Sequence, residues 1–227
     1  MKHRIVICGT GTEIGKTHVA CALIDHLVAT GARVVGLKPI ESGVDGAAET
    51  DSARLGKHAA TADLGACFAF RDPVSPHLAA RREHRSIELD PIRRWVAERD
   101  ADWQVVETAG GLLSPLSPSL SNLDLALALE PTSVVLCAPD RLGVLHDVSA
   151  SLLALQQAAL ADRTIVALST PAVVDDSTGS NGAELDLLAR AHRVPEFPRA
   201  ELDAADTAEA AAQLATRLAE VDRCPPR

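Results

Sequence analysis

The stretch GTGTEIGKTH, from Gly9 to His18, decides the fold. It follows RIVIC, Arg4 to Cys8, a short apolar run rich in β-branched residues that is typical of a buried strand in a parallel sheet. After it, apolar residues recur at helical spacing as far as Gly31, a residue type that favours the C-terminus of a helix. The sequence therefore predicts a strand, a glycine-rich loop and a helix.

Three kinds of loop fit this order. The dinucleotide fingerprint G-x-G-x-x-G matches the first two glycines, but Ile14 stands where its third glycine belongs. The phosphate-binding pattern G-x-x-x-x-G-K-[ST] ends in Gly15–Thr17, with Gly9 one residue further out than the standard spacing. The third kind is a tight turn without a ligand. The Gly-Lys-Thr ending after a buried strand favours the phosphate loop, in which backbone N–H groups face an anion, Lys16 adds a positive charge and Thr17 offers a hydroxyl to Mg²⁺.

The composition suits one large α/β domain, and we expect a single domain over residues 1–227 with a frayed tail at 223–227. Hydrophobic residues make up 47% of the chain, which is enough for a sizeable core. Aromatic residues are scarce and the net charge is −9. Stacking on nucleic-acid bases and a broad interface with a phosphate backbone are therefore both disfavoured, and no nucleic-acid partner is expected.

The five cysteines are scattered and form no C-x-x-C pair, which disfavours a disulfide framework and a zinc site. The sequence has no signal-peptide pattern and no apolar run long enough to span a bilayer. We therefore expect a cytoplasmic protein without a membrane partner.

Strand-like and helix-like runs alternate along the chain. The predicted strands cover residues 4–8, 33–38, 103–107, 133–138 and 164–168. Beyond the helix that follows the glycine-rich loop, the predicted helices cover residues 51–60, 89–100, 122–129, 144–160, 184–192 and 208–221. This alternation predicts an α/β fold of the P-loop nucleoside triphosphate hydrolase-like kind, a mostly parallel sheet with helices on both faces. Ligands of such sheets bind beyond the carboxyl ends of the strands.

Three charged residues stand at these ends. Lys38, in KPIESG, is either an ordinary surface lysine or a second cation for the polyphosphate that Lys16 binds. Glu107 ends the apolar strand WQVVE before two glycines, which favours a metal carboxylate over a strand terminus that faces water. Asp51 begins a predicted helix, and local features do not separate a second Mg²⁺ carboxylate from a helix N-cap.

Taken together, five motifs resemble one enzyme family. In their order and their separations, these motifs are similar to those of the dethiobiotin synthetases of the biotin pathway. The five motifs are GTGTEIGKT, KPIESG, SPH, VVETAGG and RLGVLH. The resemblance covers roughly residues 3–170. It implies a homodimer that uses ATP and Mg²⁺, carboxylates 7,8-diaminononanoate with CO₂ and closes the ureido ring of dethiobiotin.

The resemblance also implies roles for individual residues. The family's catalytic positions match Lys38, Lys16 and Thr12. Its nucleotide-binding positions match Glu13, Ile14, Gly15, Lys16, Thr17, His18, Glu107, Thr108, Ala109 and Gly110. Its metal ligands match Thr17, Asp51 and Glu107. Its substrate contacts match Ser42, Gly111, Leu142, Gly143, Val144 and Leu145, the last four in a loop that is expected to reach across the dimer.

Two features depart from the family pattern. Thr108 replaces the first glycine of the family's E-G-A-G-G, and a β-branched residue there is expected to restrict φ and shift the carboxylate of Glu107. The Asn-Asp pair that many members place after the strand containing TIVAL, for the adenine, is replaced here by Leu168 and Ser169. Weak discrimination among nucleoside triphosphates is therefore expected, with Pro198–Ala200 matched to the family's other base-contacting stretch.

Three other classes remain as alternatives. ATP-dependent partition and MinD-like proteins carry an additional lysine early in the loop, where this chain has Thr10 and Gly11. An amidoligase of cobalamin synthesis would need a glutaminase portion or free ammonia. A P-loop nucleotide-binding regulator descended from such an enzyme stays open because of Thr108.

Overall fold

The computed structural model describes residues 3–46, 49–59, 61, 64–188 and 195–223. The strands are β1 (His3–Gly9), β2 (Val34–Leu37), β3 (Ile40–Ser42), β4 (Phe68–Phe70), β5 (Trp103–Glu107), β6 (Ser133–Pro139), β7 (Thr164–Ser169) and β8 (Glu196–Phe197). The α-helices are α1 (Lys16–Ala29), α2 (Asp51–His58), α3 (Pro76–Arg82), α4 (Leu89–Ala97), α5 (Asn122–Ala128), α6 (Val144–Gln157), α7 (Asn181–Leu188) and α8 (Ala205–Arg223). A 3₁₀ turn, Ala161–Arg163, precedes β7.

The main sheet has six parallel strands in the order β2-β5-β1-β6-β7-β8, which confirms the predicted α/β architecture. In its register, Ile7 of β1 lies opposite Glu107 of β5, and Gly9 lies opposite Cys137 of β6. Because all the strands run the same way, their carboxyl ends meet at one edge. The phosphate loop therefore begins between the ends of β5 and β6.

Two apolar layers cover the sheet, one on each face. Along β1, Ile5 and Ile7 face the layer that contains α1 and α8, whereas Val6 and Cys8 face the layer that contains α4, α5 and α6. This alternation follows from the period of two in a β-strand. Helices on both faces leave the carboxyl edge of the sheet as the place where loops can form a site.

Several element boundaries differ from the sequence prediction. The strands β3, β4 and β8 and helix α3 were not predicted, because three-residue strands and a single short helix give little periodicity. Helix α6 ends three residues early, and Ala159 beyond it has φ of 55°. The predicted ends at residue 60 and at residues 189–192 lie outside the described residues.

Helix α8 extends to Arg223, and residues 224–227 lie outside the described part of the chain, so the frayed tail at 223–227 stays a prediction. None of the helices in the described ranges combines the length and the apolar character that crossing a bilayer requires.

Candidate nucleotide and metal site

The loop between β1 and α1 has the backbone of a phosphate-binding loop. Gly15, the N-cap of α1, has φ of 93°, and Glu13 before it also has a positive φ, of 57°. A Cβ at Gly15 would lie 2.7 Å from the hydroxyl of Ser169, so glycine is required there on both counts. Among the described residues, no side chain caps the N-terminus of the 14-residue helix α1. Its first N–H groups and its positive dipole end are therefore available to an anion.

Lys16 is buried beside this loop, with 6% of its surface exposed. Its Nζ donates a hydrogen bond to the carbonyl oxygen of Gly11 at 2.7 Å. Burial lowers the pKa of Lys16, and the opposing attraction of Glu107 does not restore it. The amine therefore lies in a site where burial disfavours its positive charge. A bound anion would stabilise that charge.

Lys38 lies between two carboxylates, Glu107 and Asp51. Its Nζ is 2.5 Å from Glu107 Oε1 and 2.9 Å from Asp51 Oδ2, and Lys38 and Glu107 are 5% and 1% exposed. Burial is the largest influence and would lower the pKa of Lys38, but the two carboxylates outweigh it and the pKa is raised. The interpretation of Lys38 as a surface lysine is therefore wrong. The interpretation of Glu107 as a strand terminus that faces water is also wrong.

Asp51 is the first residue of α2, and Thr50 is the N-cap, its Oγ1 accepting from the N–H of Ala53. The interpretation of Asp51 as an N-cap is therefore wrong. Burial would raise the pKa of Asp51, but Lys38 outweighs it and the pKa is lowered, so the group is a carboxylate at neutral pH.

Thr17 joins the two carboxylates into one cluster. Its Oγ1 donates to Glu107 Oε1 at 3.1 Å, and it also hydrogen-bonds to Asp51. The second oxygen of Glu107, Oε2, is buried without a hydrogen-bond partner among the described residues. Two carboxylates and a hydroxyl are the hard oxygen donors that Mg²⁺ prefers, so the residues fit this ion.

The described residues contain no group of three or more His, Cys, Asp or Glu side chains that could hold a metal. A magnesium ion at Glu107 and Asp51 would therefore depend on Thr17 and on water or phosphate oxygens for its remaining ligands, as is usual for this ion in phosphate-transfer sites.

Thr108 is accommodated after Glu107 without a left-handed backbone. It is absent from the described non-glycine residues with positive φ. Its N–H and its hydroxyl both donate to the carbonyl of Ile7, at 3.0 and 3.2 Å. Glu107 keeps its contacts with Lys38 and Thr17. The β-branched side chain therefore bonds back to β1, and the expected shift of the carboxylate is not required by the backbone.

The loop that follows, Ala109–Gly111, faces the phosphate loop. Gly110 has φ of 81°, and the Cβ position of Gly110 is 3.6 Å from Thr12 Oγ1. Asn122, fully buried at the start of α5, donates from Nδ2 to the carbonyls of Ala109 and Gly111 at 2.6 and 2.9 Å. Sequence reasoning missed Asn122, because a polar residue at a helix start is usually a cap and only the fold brings its amide to this loop.

A cavity of about 650 Å³ adjoins the phosphate loop. It is lined by Thr12, Glu13, Ile14, Gly15, His18, Pro139, Arg141, Ser169, Thr170, Pro171, Ala172, Pro198, Arg199, Ala200 and Glu201. Ser169 is 7% exposed, and its hydroxyl has no hydrogen-bond partner among the described residues. Pro198–Ala200 thus lines the same cavity as the phosphate loop, and its contact with a base stays a prediction. Weak discrimination among bases stays a prediction.

His18 contacts the same cavity from α1. Its ring meets Phe197 edge-on with 6.5 Å between centroids, and burial lowers its pKa, so its neutral form is favoured. Its predicted contact with the nucleotide stays a prediction.

The predicted substrate residues lie in three places, one of which is Gly111 in the loop described above. Ser42 ends β3, on the segment that also carries Lys38, and its Oγ is buried without a partner among the described residues. Leu142 is 76% exposed, and its N–H donates to Asp175. Val144 is fully buried in the core of its own chain, so only its backbone can meet a ligand. A contact of this loop across a dimer stays a prediction.

The chain is similar to known proteins in sequence and in fold. A family model described as an AAA domain matches residues 3–206. The chain is 37% identical over 172 residues to the ATP-dependent dethiobiotin synthetase BioD of Caulobacter vibrioides (strain NA1000 / CB15N), covering 71% of this chain and 78% of the relative. It is 41% identical over 165 residues to the protein of the same name from Caulobacter sp. (strain K31), covering 68% and 70%.

Among solved structures, a plasmid partition protein from Borrelia burgdorferi superposes with a TM-score of 0.59 over 97% of this chain and 100% of the other. At 11% sequence identity this similarity shows the fold alone.

Proposed function

Because this chain belongs to the ATP-dependent dethiobiotin synthetase family, we propose that it carboxylates 7,8-diaminononanoate with CO₂ and closes the ureido ring of dethiobiotin at the expense of ATP. The observation that carries the proposal is the cluster at the mouth of the phosphate loop in which the buried Lys38 and Glu107 contact Asp51 and Thr17.

The reaction requires three bond-forming steps. A neutral amine of the substrate attacks the carbon of CO₂ and loses a proton, which gives a carbamate. A carbamate oxygen then attacks the γ-phosphorus of ATP, and ADP leaves. Finally the second amine attacks the carbamate carbon, phosphate leaves and the five-membered ring closes. Each step creates or moves negative charge, so fixed positive groups near the reacting atoms supply much of the rate enhancement.

The two lysines are the groups that we assign to this charge. Lys16 would exchange the carbonyl of Gly11 for phosphate oxygens, which relieves its unfavourable burial. Lys38 would move from between Glu107 and Asp51 towards the transferring phosphoryl group. Thr12, exposed on the facing side of the loop, would donate its hydroxyl to the same group.

Glu107, Asp51 and Thr17 would hold Mg²⁺. Bound there, the ion neutralises phosphate charge and orients the chain of phosphates. The amine of Lys38 lies between the same two carboxylates. Where these carboxylates serve as metal ligands, the amine would be free to turn towards the phosphate.

The remaining assignments concern the ligands and the oligomer. Glu13–His18 and Thr108–Gly110 would contact the nucleotide, and Ser42 and Gly111 would contact the diamine. A homodimer would bring the segment Leu142–Leu145 of one chain, in which Leu142 is exposed, to the carboxylate tail of the substrate in the other.

Phosphate release tests the proposed function. Purified protein with ATP and Mg²⁺ is assayed with diaminononanoate and bicarbonate, with each alone and with neither. We expect release only when both are present, together with a product whose mass rises by one unit when the bicarbonate carries ¹³C. Release that is independent of the diamine would contradict the proposal and favour a nucleotide-hydrolysing regulator.

A further inference from the structure

A carboxylate from β3 holds the first turn of α2. Glu41 Oε1 accepts from the N–H of Asp51 at 2.6 Å and from that of Ser52 at 3.4 Å, and Glu41 Oε2 accepts from the hydroxyl of Ser52 at 2.8 Å. The N-cap, Thr50, serves a different amide, that of Ala53, at 3.1 Å. The N–H groups of this helix start are therefore shared between its own cap and a side chain from another element.

The contact is buried on both sides. Glu41 and Ser52 are each 6% exposed. A carboxylate so far from water is costly unless hydrogen bonds and positive charge compensate, and a helix N-terminus offers both. Lys38 and Asp51 are the charged groups that face Glu41, of opposite sign to one another. The hydrogen bonds to the helix start therefore hold Glu41 in a single place, and they hold α2 against β3 in return.

Asp51 is fixed at two points by one short segment of chain. Its backbone N–H is bound by Glu41, and its side chain is bound by Lys38, three residues earlier in the same segment. The position of Asp51 relative to Glu107 decides whether the two carboxylates can reach one ion. The backbone contact with Glu41 controls that position even when Lys38 releases the carboxylate.

We propose that Glu41 is a positioning residue, whose carboxylate holds the N-terminus of α2 so that Asp51 ligates Mg²⁺ together with Glu107 and Thr17. Glu41 itself touches neither the ion nor the phosphates. The proposal rests on the proposed function, since it takes Asp51 to be a metal ligand.

The Glu41→Gln and Glu41→Ala variants separate positioning from the charge of the carboxylate. Glu41→Gln keeps an oxygen for the amide of Asp51 and presents an NH₂ group to the hydroxyl of Ser52, which can accept it. Glu41→Ala removes every contact. A purely structural role would lower the melting temperature without changing the dependence of nucleotide binding on Mg²⁺.

The measurement is the Mg²⁺ concentration that gives half-maximal binding of a fluorescent ATP analogue. We expect Glu41→Ala to raise this concentration about tenfold or more, as is usual when a residue that orients a metal ligand is lost. Turnover should fall with little change in the KM for the diamine, and binding of the analogue without Mg²⁺ should stay unchanged. Glu41→Gln should recover most of the loss.

Thr164→Ala is the matched control. Thr164 is 3% exposed at the amino end of β7, the end opposite the site, and its hydroxyl donates to the carbonyl of Leu160 at 2.8 Å, so the variant also removes a buried hydrogen bond. The inference is overturned if Glu41→Ala lowers the melting temperature as Thr164→Ala does and leaves the Mg²⁺ dependence at the wild-type value, or if Glu41→Gln behaves like Glu41→Ala.

The Asp51→Asn variant separates a failure of the metal assignment from a failure of the role proposed for Glu41. If it leaves the Mg²⁺ dependence unchanged, the metal assignment fails and the inference fails with it. If Asp51→Asn shifts the dependence and Glu41→Ala does not, only the inference fails. Should Glu41→Ala not fold, Glu41→Asp replaces it with the same two outcomes, because a side chain shorter by one methylene cannot span to both Asp51 and Ser52.

Discussion

At the scale of single residues, Lys16 and Lys38 are buried to a similar degree, yet their surroundings shift their pKa in opposite directions. Burial lowers the pKa of Lys16, whose nearest partner is a neutral carbonyl. For Lys38, Glu107 and Asp51 overcome the effect of burial and raise the pKa. The first amine is thus ready for an anionic ligand, and the second is part of a compensated ionic cluster.

Lys16→Met should stabilise the protein while it removes ATP binding. Replacing a buried, poorly paired charge by an apolar side chain of similar volume is expected to contribute about 1 kcal/mol, or a melting temperature higher by about 2–4 °C for a chain of this size. The penalty for the charge is fully present below the lowered pKa of Lys16 and disappears as the pH rises from there towards 10.5. The difference in melting temperature between the variant and the wild type should therefore shrink over that range.

Calorimetry at several pH values checks this expectation, with ATP binding measured by isothermal titration. A variant that is less stable than the wild type at neutral pH would contradict the account of Lys16.

Lys38→Ala should slow turnover about a hundredfold or more, the range for losing one donor to a developing charge, and leave ATP binding largely intact. It also leaves Glu107 buried beside Asp51 without a cation, so the free energy of unfolding in Mg²⁺-free buffer should fall by about 3 kcal/mol. Added Mg²⁺ should restore part of this loss.

The control for this variant is Lys57→Ala, which removes an exposed lysine of α2. Urea unfolding with and without Mg²⁺, and steady-state kinetics, give the comparison. An unchanged turnover number in Lys38→Ala would exclude this lysine from catalysis.

At the scale of elements, the phosphate loop and the ends of its neighbouring strands form the site. The loop, β1, α1 and β5 were all predicted from sequence, because a motif and a hydrophobic period agreed there. The pair β3-β4 was missed, since three residues carry no clear period, and with it the contact of Glu41 with α2. Asn122 was missed because its partners, Ala109 and Gly111, are joined to it by the fold and by no sequence pattern.

A comparison of Gly15→Ala with Gly31→Ala separates the effect of backbone strain on stability from the effect of the phosphate loop's shape on ATP binding. Both glycines have positive φ, 93° and 84°, so each substitution should cost about 1–2 kcal/mol of stability. Of the two, Gly15 lies against another side chain, that of Ser169, whereas a Cβ at Gly31 meets none of the described residues within 4 Å. We therefore expect both variants to lose melting temperature, Gly15→Ala more because of this contact, and ATP binding to be lost only in Gly15→Ala. Equal ATP affinities in the two variants would contradict the role assigned to this loop.

At the scale of the whole molecule, the parallel sheet explains why distant segments meet in one site. Lys16, Lys38 and Glu107 follow or end three neighbouring strands, and the order β2-β5-β1 brings those ends together. Sequence reasoning could place each residue at a strand end and, with the family motifs, group them. Sequence reasoning could not predict that Lys38 forms ion pairs with both carboxylates. The burial of Lys38 and its contact with Asp51 depend on the packing of helix α2 against β2.

The most direct test of the account is a crystal structure with a non-hydrolysable ATP analogue, Mg²⁺ and diaminononanoate. We expect the amines of Lys16 and Lys38 to lie within hydrogen-bond distance of the same terminal phosphoryl group, with the ion bound by Thr17, Asp51 and Glu107. A triphosphate bound elsewhere, or a Lys38 amine that remains between the two carboxylates and away from the phosphate, would contradict it.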